Sequence, residues 1–232
     1  MLGPAASVAR VARASLALAC TLGGCGERSA PVARPAPVLR APSPRAVFGP
    51  ELPATIAMEL ATDQGRVRCT VEPRRAPRAA AILVGLARGG HAWRDPRSGA
   101  VTTRPLYRAL RFVRTIAGAY AQVGCPRGDA TGQPGYRVPL ELNDDDRARL
   151  AEPGVLFAAV YHPAPSRPDP APPPPGDVVG SQIAIGLADM SHLAGQTTVL
   201  GRCTDLDTVS RIAARPRGSP ARLDALVVVA PP

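Results

Sequence analysis

From Pro53 onward the chain falls into short apolar runs of five to seven residues, separated by turn-forming residues, and only two longer stretches carry a helical period. The runs predict strands at Thr55–Ala61, Val67–Val71, Arg111–Ile116, Ala119–Val123, Val155–Tyr161, Gln182–Leu187, Thr198–Cys203 and Leu223–Val229. The first helical stretch, Pro77–Arg88, has proline in its first turn, stacks Ala80, Leu83, Val84 and Ala87 on one face and stops at Gly89-Gly90. The second, Asp205–Ala214, has Thr204 and Asp207 at capping-box spacing and an apolar face of Leu206, Val209, Ile212 and Ala213. Eight short strands and two amphipathic helices predict a mostly-β fold: a closed eight-stranded antiparallel barrel with a helix across each end.

A chain of 232 residues with 45% hydrophobic side chains can bury one good core, and a single domain acting as a monomer is expected. The formal charge of +10 raises nucleic acid and anionic surfaces as partners. All 28 basic residues are arginine, however, and they are scattered without aromatic interleaving or a nucleic-acid motif. Coding bias accounts for that pattern, and nucleic-acid binding is not expected. Aromatic residues make up only 3% of the chain, so an aromatic-lined pocket has few side chains to draw on.

Residues 1–25 have the layout of an export signal: Arg10 and Arg13, an apolar run from Ala14, then Leu22-Gly23-Gly24-Cys25. The run is too short to stay in a bilayer as a spanning helix. Leu-Gly-Gly-Cys resembles a bacterial lipobox, which makes Cys25 the expected lipidation site and mature N-terminus. Cys20, after Ala17-Leu18-Ala19, is the competing site, and an ordinary secretory signal is the alternative. Residues 26–52, rich in Pro, Ala and Arg without apolar periodicity, read as a disordered tether reaching roughly 80 Å, with the folded domain at 53–232. Gly26 after Cys25 lacks the Asp that often marks inner-membrane retention, so the outer membrane, facing the periplasm, is the expected location.

The densest signal lies in Leu106–Tyr136, LYRALRFVRTIAGAYAQVGCPRGDATGQPGY. Two β-type runs each carry one polar side chain that a buried surface would not choose, Arg114 and Gln122, and a Gly-rich turn follows from Gly124 to Gly135. Phe112-Val113-Arg114, the bend Ile116-Ala117-Gly118 and Gln122-Val123-Gly124-Cys125 resemble the central motif of the cyclophilins, which reads Phe-His-Arg, Ile-Pro-Gly and Gln-Gly-Gly-Asp. Gly65–Pro77 resembles that family's second strand and its Ala-Pro entry into the first helix, and Trp93-Arg94-Asp95-Pro96 a loop of its bacterial lipoprotein members. Pro134-Gly135-Tyr136, Gly154-Val155-Leu156, Gly180-Ser181-Gln182 and the segment from His192-Leu193-Ala194-Gly195 to Val199-Leu200-Gly201 continue the likeness in order over about 170 residues.

The resemblance implies a barrel-shaped peptidyl-prolyl cis/trans isomerase that acts on X-Pro bonds of exported proteins. Rotation about an amide has a barrier of about 18–20 kcal/mol because the nitrogen lone pair is delocalised. A guanidinium that donates a hydrogen bond towards the prolyl nitrogen localises that pair while an apolar pocket grips the ring. No nucleophile, metal or proton transfer is needed, and no cofactor is implied. By resemblance Arg114 is the guanidinium and Gln122 holds the substrate backbone. Gln182 is similar to a second groove glutamine, Leu193 to an apolar wall, and Phe112, Tyr120 and Ala159 to further substrate contacts.

The chain departs from the pattern inside the pocket. Ala119 and Ala184 stand where the family has two phenylalanines, Thr197 where it has a substrate-contacting His, His192 where it usually has Trp or Phe, and Val160 where it has Asn. Each lost phenylalanine removes about 1.5–3 kcal/mol of burial, and together they lower efficiency by roughly a hundredfold to ten-thousandfold. Tyr120, next to Ala119, is the candidate to refill the space, although a one-residue offset points it to the opposite face unless the strand bulges. Weak activity is therefore expected. The main alternative is a degraded module that binds proline-containing segments as a chaperone or scaffold. A structural envelope protein using a basic tether is a third class.

Between Tyr161 and Gly180 the chain inserts HPAPSRPDPAPPPPGDVV, residues 162–179, which reads as a solvated polyproline loop or as a segment that masks the adjacent groove. His91, His162 and His192 show no metal-ligand spacing. Cys69 and Cys203 fall at inward strand positions and read as small core residues; a disulfide between two of Cys69, Cys125 and Cys203 is the alternative in an oxidising compartment. Asp144-Asp145-Asp146 reads as a solvated turn or a helix start.

Overall fold

The computed structural model describes residues 39–160 and 178–229. The export signal, Cys25, the first part of the expected tether, His162 and nearly all of the Pro-rich insertion lie outside the described residues. In chain order the elements are α1 (Pro44–Phe48), β1 (Ile56–Thr62), β2 (Gly65–Val71), α2 (Pro77–Arg88), β3 (Trp93–Arg94), β4 (Val101–Thr102), β5 (Arg108–Arg111), β6 (Arg114–Ile116), β7 (Tyr120–Val123) and β8 (Val138–Pro139). There follow α3 (Asp146–Ala151), β9 (Val155–Val160), β10 (Val178–Gly186), a 3-10 turn (Ser191–Leu193), β11 (Thr198–Cys203), α4 (Leu206–Ala213) and β12 (Arg222–Val228).

The main sheet is antiparallel and curled, with strand order β5-β12-β1-β2-β11-β9-β10-β7-β6 and β8 paired to β10. The run expected as one strand over Arg111–Ile116 is divided, because Phe112 and Val113 turn away from a single ladder. Phe112 N donates to Ala221 O of the β12 side, whereas Val113 N donates to Gln122 O on β7. One short chain segment thus hydrogen-bonds at both ends of the strand order.

Alternation along the strands separates two apolar clusters. On β9, Leu156 and Ala158 enter the main core, while Val155 and Phe157 join a smaller cluster on the opposite face. Ile183 and Ile185 of β10 face the main core, and Ala184 faces the other way. α2 and α4 bury their apolar sides, including Ile82, Leu86, Val209 and Ile212, in the main cluster. The smaller cluster, with Leu150, Met190 and Val199, lies against the site described below.

Residues 39–52, expected as tether, are instead packed. Ser43 Oγ accepts from Ala46 N at 3.2 Å, Pro44 occupies the first turn of α1, and Gly49 ends it with φ 88°. Leu39, Ala41, Val47 and Phe48 pack against the main core. A five-residue helix is too short to produce a readable period, which is why composition alone suggested disorder. The expected capping box of α4 is also absent. Its N-cap is Asp205, in the left-handed region at φ 59°, and Thr204 Oγ1 donates to Asp205 Oδ2.

The Asp205 side chain serves the fold by another route. Its carboxylate accepts from Arg68 N at 3.0 Å, Nε at 3.1 Å and Nη2 at 2.7 Å, fastening the end of β11 to β2. These Arg68 hydrogen bonds hold the Asp205 carboxyl well below the usual carboxylate range. Asp145, bonded first by Arg75, is lowered in the same sense, and Arg75 also pairs with the buried Asp146. The acidic triplet is therefore an anchored helix start for α3 rather than a solvated turn. A folded-state value below the unfolded one contributes stability at neutral pH that disappears as pH falls below about 4. The thermal midpoint of the wild type should drop on acidification, and that of Arg68→Met should drop less steeply. Equal slopes for the two proteins would show that the clamp does not contribute.

Cys69 and Cys203, directly opposed in register on β2 and β11, form a disulfide with a Cα–Cα distance of 3.9 Å. Of the two readings left open by the sequence, the bonded one holds for this pair, while Cys125 is free and buried.

Candidate active site

β6 and β7 form a hairpin in which Arg114 lies directly opposite Gln122, with Thr115 opposite Ala121 and Ile116 opposite Tyr120. Residues two apart share a face, so Tyr120 and Gln122 project together, away from the buried Ala121 and Val123. Gly118 takes the turn at φ 73°, and Leu187 N donates to Ala119 O at 2.7 Å, tying the hairpin to the end of β10.

A cavity of about 290 Å³ opens on this face. Arg114 and Gln122 lie on its β6–β7 side, Phe157 and Ala159 of β9 and Ala184 of β10 line it between strands, and Met190, His192, Leu193, Gln196 and Thr197 form the remaining wall. The wall is held in place through its backbone. Met190 N donates to Leu150 O of α3 at 2.8 Å, Leu193 N to Met190 O, and Gln196 Nε2 to His192 O at 3.1 Å.

Of the expected contacts, Arg114, Gln122, Tyr120, Ala159, Ala184, His192, Leu193 and Thr197 are brought together. Three are not. Phe112 is buried in the main core, and Ala119 packs at the edge of the smaller cluster without lining the cavity. Gln182 is 2% exposed and sits behind the site rather than in it. Its Nε2 donates to Ala130 O at 3.0 Å and Gly132 O at 3.1 Å, so its Oε1 must accept, and it does so from Gln122 Nε2 at 2.8 Å. The chain of bonds fixes the Gln122 amide with Oε1 as its remaining acceptor. Tyr120, whose direction its offset from Ala119 leaves open, lines the cavity because it shares a strand face with Gln122, two residues on.

Phe157, Met190 and Gln196 were missed. Phe157 was detectable, since it is two residues from Ala159 on one strand, whereas Met190 precedes an irregular turn that carries no period. Thr197 Oγ1 donates to Ala158 O, so the hydroxyl proton is already engaged within the protein. Arg114 is exposed, and its guanidinium has no ion pair or hydrogen bond among the described residues. Many other arginines are occupied, as Arg75 is by Asp145 and Arg104 by Asp95.

The Gly-rich turn shapes the back of the site. A Cβ on Gly124, at φ 101°, would lie 2.3 Å from Ser181 O, and Ser181 Oγ donates to Gly124 O at 2.8 Å. Only glycine allows that approach of the turn to β10. Cys125 Sγ accepts from Gly128 N and Gly132 N, closing the turn on itself. Although burial works against it, Thr131 donates twice to Asp129 and keeps that carboxyl below its ordinary value. Gln182→Leu should strand Gln122 Nε2 and two carbonyls of this turn, costing about 1–3 kcal/mol and raising KM severalfold. Denaturant titration together with steady-state kinetics checks both effects, and unchanged KM would mean that Gln122 needs no support.

A sequence profile of the family described as cyclophilin type peptidyl-prolyl cis-trans isomerase/CLD matches residues 57–229. The chain belongs to this family. It is a cyclophilin-type peptidyl-prolyl cis-trans isomerase, as the arginine–glutamine hairpin leads one to expect. Among curated relatives, the peptidyl-prolyl cis-trans isomerase of Synechococcus elongatus is 35% identical over 146 residues, covering 63% of this chain and 79% of its own. That of Helicobacter pylori is 28% identical over 161 residues, covering 69% and 80%. A crystal structure of a cyclophilin type isomerase from Cryptosporidium parvum superposes with a TM-score of 0.56 at 19% identity, over 77% of this chain and 99% of that one, and supports the shared fold.

Proposed function

We propose that this cyclophilin isomerises X-Pro bonds of exported polypeptides, using Arg114 to localise the prolyl nitrogen lone pair and Gln122 to hold the substrate backbone. The observation that carries this reading is the in-register pair Arg114–Gln122 at the edge of a cavity walled in part by Phe157, Ala159, Ala184, Met190 and Leu193, with the guanidinium uncommitted among the described residues. Electrostatic interactions gain strength where apolar walls exclude water, and a rigid guanidinium loses little freedom on donating. The Cryptosporidium relative was also crystallised in the presence of the dipeptide Ala-Pro, with a TM-score of 0.54, which supports proline-containing segments as ligands. Because β5 and β6 are one bent segment, we read the sheet as the closed eight-stranded barrel of the family.

A second reading, proline-segment binding without efficient turnover, is favoured by the small side chains Ala119 and Ala184 and by the engaged Thr197 hydroxyl. A protease-coupled or NMR-exchange assay on the full chain with several X-Pro peptides separates the two. Acceleration over the uncatalysed rate supports the isomerase, reduced by the altered pocket. Peptide binding with no acceleration supports the binding module instead.

For location, the lipobox-like Leu22-Gly23-Gly24-Cys25, followed by Gly26 rather than Asp, supports a protein anchored through Cys25 to the outer membrane and facing the periplasm. The Cys69–Cys203 disulfide fits an oxidising compartment. Membrane fractionation tests the anchor: Cys25→Ser should move the protein to the soluble fraction, and retention in the membrane would refute lipidation at that position.

A further inference from the structure

We propose that Phe157 is the floor of the proline pocket in this chain, an aromatic side chain carried by β9 that replaces the two phenylalanines absent at positions 119 and 184 and sets the ring size the pocket accepts. The proposal rests on the isomerase reading above. Of the three phenylalanines, Phe48 at the end of α1 packs against the main core and Phe112 lies within it, which leaves Phe157 as the phenylalanine at the pocket. Trp93, Tyr107 and Tyr136 are likewise taken by the main core, and Tyr120 of β7 lines the cavity from the hairpin side, apart from the β9–β10 floor. Phe157 is only 5% exposed and still lines the cavity, so it belongs both to the smaller cluster with Leu150 and Val199 and to the cavity surface.

Register explains the exchange. Phe157 on β9 is directly paired with Ala184 on β10 and with Val199 on β11, all on one face. Side chains at paired positions stand about 4.5–5.5 Å apart at Cβ and compete for the same volume. On this face the large side chain stands at 157 and the small one at 184, so the space beside Phe157 on the β10 side is left to the cavity. With the floor supplied from β9, the alanines at 159 and 184 leave side walls that are low and smooth. The geometry suits the small puckered five-membered prolyl ring lying on an aromatic face and disfavours a bulkier ring by contact with Phe157.

A variant cycle in the full chain tests this: Phe157→Ala, Ala184→Phe and the double variant, each assayed on X-Pro peptides and on analogues with the six-membered pipecolyl ring. Phe157→Ala should lower kcat/KM for X-Pro by about tenfold to a hundredfold, mainly through KM, and weaken discrimination against the larger ring. Ala184→Phe alone should also lose activity by crowding, and the double variant should recover to within about threefold of wild type. Phe157→Leu, which keeps most of the volume, serves if the alanine variant does not fold, and should show the same loss of ring discrimination. Unchanged KM and ring preference in a folded Phe157 variant, or a double variant as poor as the product of the singles, would overturn the proposal. Peptide affinity is read by NMR titration in the same samples. An inactive wild type removes the isomerase reading, and the floor is then decided by whether Phe157→Ala weakens binding or leaves it unchanged.

Discussion

Arg114→Ala is expected to lower kcat/KM for X-Pro isomerisation by about a hundredfold to a thousandfold, the usual loss when one preorganised donor to a developing charge is removed. The same substitution should leave the thermal midpoint nearly unchanged. Arg114 is exposed and makes no ion pair or hydrogen bond among the described residues, so folding loses only a surface contact of about 0.5 kcal/mol or less. Arg114→Lys should fall between the two proteins, since it keeps the charge but not the planar donor fork. Coupled-assay kinetics alongside calorimetry give both quantities. If Arg114→Ala keeps more than about a tenth of wild-type kcat/KM, lone-pair localisation by this guanidinium is not the mechanism.

Removing the Cys69–Cys203 disulfide should be the most damaging change outside the site. The bond joins residues 134 apart in sequence, and cross-links that close long loops restrict the unfolded chain most. Its loss should cost about 2–5 kcal/mol and lower the midpoint by roughly 5–15 °C. The bond also lies next to the Arg68–Asp205 clamp, so reduction would leave that ion pair as the main tie between β2 and the start of α4. Cys69→Ala/Cys203→Ala and wild type with a reductant should unfold at similar temperatures, both below the oxidised protein. A midpoint insensitive to both treatments would mean that the sheet register alone holds β2 to β11.

What the sequence discloses about this fold depends on length. β1, β2, β11 and α2 have enough residues for a period of two or of 3.6 to be counted, and they stand close to their expected places. The break at Phe112–Val113 and the five-residue α1 are shorter than any countable period, so neither was expected. At the site, Arg114 and Gln122 stood out because charged and amide side chains are unusual in apolar runs. Phe157 did not, because a phenylalanine in a buried strand is ordinary until the small residues across from it are known. Gln182 was misplaced for a related reason: spacing puts it on β10, but only the hydrogen bonds to Ala130 and Gly132 show it turned away from the cavity.

The docking of Leu39, Ala41 and α1 against the core shortens the leash on which an anchored enzyme would work. Between Cys25 and the first packed residue there remain about 13 residues, which even at full stretch span at most roughly 45 Å. If Cys25 carries the proposed anchor, the pocket would patrol only the layer beside the membrane, meeting chains as they emerge from it and not those already released into the bulk.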